Sequence, residues 1–180
     1  MPNAIVSVYD KTDLELVGKT LKSFGFNIFA TSGTLKYLET KQIQARPIEE
    51  YCLNPDGFSD YFSSLSFNTL VGVLSGENRQ FANSVIKKID VVIYNFVPSW
   101  EIIKKSQDFN IKNVDLGGPA IVRAAAINYL KTIPVVSPSQ YPLLEKLFDM
   151  DTTTRKRLAQ EAFDYCSWYD HKLSCLLKSL

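Results

Sequence analysis

Four short runs rich in β-branched and aromatic residues, Ala4 to Val8, Phe26 to Ala30, Val91 to Asn95 and Ile133 to Val136, are separated by long stretches with helical patterning. That spacing is the strongest constraint in the chain. Strands this far apart cannot be joined as tight hairpins, and alternating strands and helices build a mainly parallel sheet covered on both faces. Between the runs, Leu14, Val17, Leu21 and Phe24 recur at helical spacing, Thr34 to Thr40 reads as a short helix, and Gly118 to Tyr129 as another. Val71 to Leu74 reads as a further strand and Glu77 to Lys88 as helix; residues 50 to 68, with Pro55 and Gly57, read as the longest loop. The expected fold class is therefore α/β, a mainly parallel sheet flanked by helices. Residues 1–150 form that domain. In 151–180, Leu158, Ala162, Phe163, Cys166, Tyr169, Leu173, Leu176, Leu177 and Leu180 mark one apolar helical face, a closing segment that packs on the domain or on a partner subunit.

Composition removes several function classes. Twenty basic residues against 19 acidic ones leave a net charge of +1, so no global field draws the chain to nucleic acid or an anionic membrane. No apolar run approaches the roughly 20 residues that span a bilayer, and the N-terminus lacks signal-peptide character; the expected location is cytoplasmic. Cys52, Cys166 and Cys175 are an odd set without a CxxC pair, which reads as reduced thiols rather than a disulfide framework or zinc site. His171 is the only histidine. No metal or cofactor is expected.

In parallel sheets, ligands sit beyond the carboxyl ends of the strands. The loop Thr31-Ser32-Gly33-Thr34 ends one strand and opens a helix, where free backbone N–H groups suit an anion such as phosphate; helix capping by Ser32 or Thr34 explains the same residues equally simply. If the first two strands are neighbours, Lys11 brings a point charge beside that loop. The spacing matches neither the GxxxxGK[ST] nucleotide loop nor the GxGxxG dinucleotide fingerprint. Farther on, Asp115 precedes the turn Gly117-Gly118, with Pro119 opening an alanine-rich helix. The pattern fits a carboxylate held against a ligand, and also an ordinary helix cap.

Ser7-Val8-Tyr9-Asp10-Lys11-Thr12, Ala30 to Leu38, Asp90 to Asn95 with Pro98, and Asp115-Leu116-Gly117-Gly118 through Arg123-Ala124-Ala125-Ala126-Ile127-Asn128 occur in the order seen in the IMP cyclohydrolase domain of the bifunctional purine-biosynthesis enzyme. The tail around Leu158 to Phe163 and Tyr169-Asp170 resembles that family's closing helix. The resemblance implies a methylglyoxal-synthase-like fold, a homodimer, and dehydrative ring closure of 5-formamidoimidazole-4-carboxamide ribotide to IMP without a cofactor. The formyltransferase domain that usually follows is not within these 180 residues, so a separate formyltransferase is an expected partner.

Carried over residue by residue, the resemblance assigns phosphate or substrate binding to Ser7, Lys11, Thr31, Ser32, Gly33, Thr34, Asn95, Gly117 and Gly118, and catalysis to Asp115. It also exposes departures. The family's lysine in its GRVKTLHP segment falls on Ser63, the tyrosine of NLYPF on Val97, and the lysine of RAAAKN on Ile127; Lys131, Lys104 and Lys105 are the substitutes within view. These losses leave two readings, a cyclohydrolase working through Asp115 or a degenerate module that binds the ribotide or IMP for regulation. Methylglyoxal synthase chemistry fits less well, because His171 lies in the closing helix.

Overall fold

The computed structural model describes residues 1–53, 64–81, 84–106 and 113–179. The elements run β1 (Asn3–Val8), α1 (Leu14–Ser23), β2 (Asn27–Ala30), α2 (Ser32–Thr40), β3 (Arg46–Pro47), α3 (Glu49–Cys52), α4 (Phe67–Ser75), β4 (Arg79–Phe81), β5 (Ser84–Ile86), β6 (Val91–Asn95), α5 (Ser99–Ser106), α6 (Gly117–Ile127), β7 (Ile133–Val135), a 3-10 segment (Pro138–Asp149) and α7 (Thr152–Leu177). Five strands form one parallel sheet in the order β3-β2-β1-β6-β7. Every residue of β1 and β6 is buried, as strands covered on both faces must be.

The pleat divides the core. Ile5, Phe29, Val92 and Tyr94 face a cluster completed by Ile121, Val122 and Ala125 of α6 and by Ala162, Cys166 and Tyr169 of α7. Val6, Val8 and Ile93 face the opposite layer, where Leu14, Val17 and Leu21 of α1 lie with Tyr141 and Leu144. The register of β1 with β6 sets which side chains meet at the carboxyl edge: Ser7 stands beside Tyr94 and Val8 beside Asn95.

Two segments depart from expectation. Val71 to Leu74 lies inside helix α4, whose N-cap Ser66 accepts a bond of 3.0 Å from the Thr69 N–H. Thr69, Gly72 and Val73 are its buried residues, the i, i+3, i+4 spacing of a helix, and this periodicity outweighs the β-branched composition. The turn after Leu74 is consequently not a strand end. Glu77 to Lys88 is not helical among its described residues; it carries the antiparallel pair β4–β5, with Arg79 opposite Ile86 and Phe81 opposite Ser84. Within the expected loop 50–68, α3 ends at Cys52 and α4 begins at Phe67, while 54–63 lie outside the described residues.

The closing segment is one continuous helix of 26 residues, capped where the Asp151 carboxylate accepts from the Thr154 N–H at 2.8 Å. Leu158, Ala159, Ala162, Cys166, Tyr169 and Leu176 bury against the domain, whereas Phe163 and Leu177 stay exposed. Cys52 and Cys166 are buried free thiols, and Cys175 is exposed beside His171, Sγ to Nε2 3.5 Å. Among the described residues, no helix is long and apolar enough to cross a membrane.

Candidate functional site

The carboxyl ends of β1, β2 and β6 bring most of the expected residues together. At the end of β1, Ser7 Oγ and Thr31 Oγ1 share a hydrogen bond of 2.9 Å, tying the first strand to the loop that opens α2. One residue on, Thr34 Oγ1 accepts from the Val8 N–H at 3.0 Å and donates to the Val8 carbonyl at 3.3 Å. The Lys11 ammonium donates to that same Val8 carbonyl, and to the Tyr9 carbonyl at 3.3 Å. Lys11 thus stands beside the α2 N-terminus, as the pairing of β1 with β2 requires. Its partial burial lowers its pKa, against a smaller opposing pull from the neighbouring Asp10 carboxylate.

Two chemically different positions make up this loop. Thr34 is buried and spends its hydroxyl on β1, whereas Ser32 and Gly33 are exposed, with open space around the Gly33 Cα. The N-cap is Thr31, and its side chain forms no capping bond. The α2 first turn therefore presents N–H groups, two small exposed residues and a lysine on one side, an arrangement suited to an anion. Asn95 acts one step behind: its Oδ1 accepts from the N–H groups of Tyr9 (2.5 Å) and Asp10 (2.8 Å), and its Nδ2 donates to the Asp10 carbonyl at 3.1 Å. It holds the loop that carries Lys11.

Asp115 lies across the edge at the start of α6. Its Oδ1 accepts from the Gly118 N–H at 2.8 Å, so it does cap the helix, yet burial still raises its pKa above the ordinary 3.8 against the pull of the Gly118 and Val97 amides. Capping and an acid/base role are compatible here. A Cβ on Gly118 would come within 2.6 Å of Tyr94 Cε1 and 2.8 Å of Asp115 Oδ2. Glycine is what allows the ring, the carboxylate and the helix start to converge. The Asp115 N–H donates to Tyr169 Oη at 2.9 Å, and that hydroxyl pairs with Ser99 Oγ at 2.8 Å, so α7 and α5 both anchor the backbone that carries the carboxylate.

Between the two halves stands Tyr94, which the sequence offered only as a strand residue. Its buried hydroxyl pairs with Ser64 Oγ at 3.0 Å and is engaged by Ser7, while burial and the Asp115 charge push its pKa well up. A row of hydroxyls, Thr31, Ser7, Tyr94 and Ser64, thereby runs from the α2 loop to the neighbourhood of Asp115. No local pattern reveals it, because it depends on the pairing of β1 with β6.

The departures take different forms. Ser63 lies outside the described residues. Val97 has an aliphatic side chain, but its backbone N–H reaches the Asp115 carboxylate. Ile127 is 66% exposed, ten residues and about 15 Å along α6 from Gly117. The suggested substitutes do not converge on the edge: Lys104 and Lys105 are exposed on the last turn of α5, and Lys131 packs beside Gly76, before β7 begins, at the opposite edge of the sheet. His171 is exposed on α7. Among the described residues, no three His, Cys, Asp or Glu side chains converge as a metal site.

Comparison with known proteins fits this geometry. The MGS-like domain family matches residues 13–115. The bifunctional purine biosynthesis protein PurH of Caldicellulosiruptor bescii is 36% identical over 179 residues, covering 93% of this chain and 35% of that protein. PurH of Buchnera aphidicola subsp. Schizaphis graminum is 34% identical over 184 residues (96% and 34%), and PurH of Aquifex aeolicus 32% over 187 (98% and 37%). The chain spans about a third of the length of these curated relatives. The crystal structure of ForH superposes with a TM-score of 0.78 at 23% identity, covering 98% of each chain, which supports the fold.

Proposed function

The chain belongs to the MGS-like domain family, and from that premise we propose that it is an IMP cyclohydrolase, closing the ring of 5-formamidoimidazole-4-carboxamide ribotide. The observation that carries the reading is one edge holding two complementary parts. Lys11, Ser32, Gly33 and the α2 N-terminus form an anion cradle, and Asp115, a carboxylate of raised pKa, sits across the same edge.

The chemistry needs little beyond these parts. With the phosphate in the cradle, the carboxamide nitrogen attacks the formyl carbon, and Asp115 takes the N–H proton. A tetrahedral carbinolamine results. The protonated Asp115 returns that proton to the formyl oxygen, making it the carbinol hydroxyl; it then takes the N–H proton of the former formamide nitrogen and passes it to that hydroxyl, so that water leaves and the C=N bond closes the ring. One group acts first as base and then as acid, so a pKa above the usual aspartate range serves both steps. The attack is intramolecular, and holding nucleophile and electrophile together supplies up to about 7–11 kcal/mol of the barrier.

That the relatives are bifunctional purine biosynthesis proteins supports the pathway. A homodimer and a formyltransferase that supplies the formylated ribotide complete the proposal; the apolar groove on α4, lined by Phe67, Leu70, Val71 and Leu74, supports the first. A ribotide-binding regulatory module is the second reading, favoured by Val97 and Ile127, which supply no ionisable group. Absorbance-monitored formation of IMP from the synthetic ribotide separates them. A rate above the uncatalysed background supports the enzyme, and background rate with saturable ribotide binding supports the module.

A further inference from the structure

A second cavity opens on the far side of the Asn95 clamp, where the carboxyl ends of β1, β6 and β7 meet α5 and α7. Its volume is about 400 Å³, within the range of small-molecule sites. The walls are aromatic: Tyr9, Phe96, Trp100, Tyr165 and Trp168. These rings support one another, Phe96 stacking on Tyr165 at 4.6 Å between centroids, Tyr165 on Trp168 at 5.7 Å, and Trp100 meeting Trp168 edge-on at 5.0 Å. The charged lining residues are Asp10 and Glu101, and no Lys, Arg or His lines the cavity among the described residues.

Both carboxylates are available to a ligand. Asp10 uses Oδ1 for the Thr12 N–H and hydroxyl, with Oδ2 left over, and Glu101 has no ion-pair or side-chain hydrogen-bond partner among the described residues. Outside that lining, Lys172 Nζ lies 5.9 Å from the Trp168 centroid, a cation–ring contact at one of these aromatic side chains. Ring faces stabilise positive charge but cannot replace the hydrogen bonds of a strongly hydrated ion. Aromatic walls with two carboxylates therefore suit a weakly hydrated cation better than a strongly hydrated one. Its charge is opposite to that of the cradle around Lys11, so it is not a second phosphate site.

We propose that this cavity binds a small organic cation, a guanidinium or alkylated ammonium head, with Trp100, Tyr165 and Trp168 forming the walls and Asp10 and Glu101 the counter-charge. The assignment is independent of the ribotide reading. Trp100 and Trp168 are the only two tryptophans of the chain, so intrinsic fluorescence reads this cavity directly. Titration with methylguanidinium or tetramethylammonium chloride, against sodium chloride at equal ionic strength, is expected to give a saturable change that sodium does not.

Glu101→Gln, an exposed substitution that leaves the packing alone, is expected to weaken that binding by roughly threefold or more. Trp168→Leu, with Trp100 as reporter, is expected to weaken it similarly. Three results would overturn the proposal: a response that superimposes on sodium chloride, variants that titrate like the parent protein, or inorganic phosphate reproducing the signal.

Discussion

The two sides of the carboxyl edge are built by different means. On the β1–β2 side the parts are backbone amides, small hydroxyls and one lysine; strand pairing brings Thr34 to the Val8 carbonyl, and the turn after β1 brings Lys11 to the same atom. On the α6 side the proposed chemistry rests on a single carboxylate, whose environment comes from Gly118, Val97, Tyr94 and Tyr169, scattered over 75 residues of sequence. On the resemblance set out above, the cradle keeps the expected residues, whereas the α6 side keeps Asp115 but carries Val97 and Ile127 where a tyrosine and a lysine are expected. Anion binding by a helix N-terminus survives wherever the backbone is held. Moving a proton depends on particular side chains and their burial, so that side is where function is lost or rebuilt.

The largest test of this contrast is Asp115→Asn. Turnover is expected to fall by about 10²–10⁴-fold while ribotide affinity holds. The acid limb of the parent's kcat/KM profile should sit above the ordinary aspartate value and vanish in the variant. Stability moves the other way. With the folded pKa raised, the contribution of Asp115 is fully present below the unfolded value and is lost as pH rises through the folded one. Chemical denaturation near neutral pH should therefore find Asp115→Asn no less stable than the parent.

Lys11→Ala comes next. Ribotide affinity is expected to drop roughly 10–100-fold by calorimetry, the scale of one charge-assisted hydrogen bond, with a much smaller change in kcat. Gly118→Ala should cost about 1–3 kcal/mol, because neither the buried Tyr94 ring nor the Asp115 carboxylate can yield to the new methyl group. Thr34→Val removes the tie to β1 while preserving shape, and a loss of about 1 kcal/mol is expected in denaturant titration. Smallest of all, Ile127→Lys should leave both stability and turnover within about 0.5 kcal/mol, since that side chain faces solvent.

Legibility in the sequence divides along the same line. The strands β1, β2, β6 and β7, the parallel sheet, the long closing helix and the Lys11–Thr34 proximity come from local periodicity plus one pairing rule. Val71 to Leu74 misled because its β-branched residues suit a strand, while burial of Thr69, Gly72 and Val73 against the domain selects a helix. The hairpin β4–β5 was hidden for the opposite reason: its described residues are largely exposed and carry little hydrophobic pattern. Tyr94 escaped notice because its hydroxyl matters only through Ser7 and Ser64, contacts set by strand register and by a segment 30 residues away. Asp115 was visible as a motif, but its raised pKa was not, since burial is a tertiary property.

The central claim is that one edge binds phosphate on one side and moves protons on the other. Parallel measurement of ribotide affinity and IMP formation in the parent, Lys11→Ala and Asp115→Asn tests it most directly. The account predicts a crossed result, affinity lost in the first variant with kcat largely kept, and kcat lost in the second with affinity kept. Equal loss of both quantities in both variants, or a parent rate no greater than background, would contradict it.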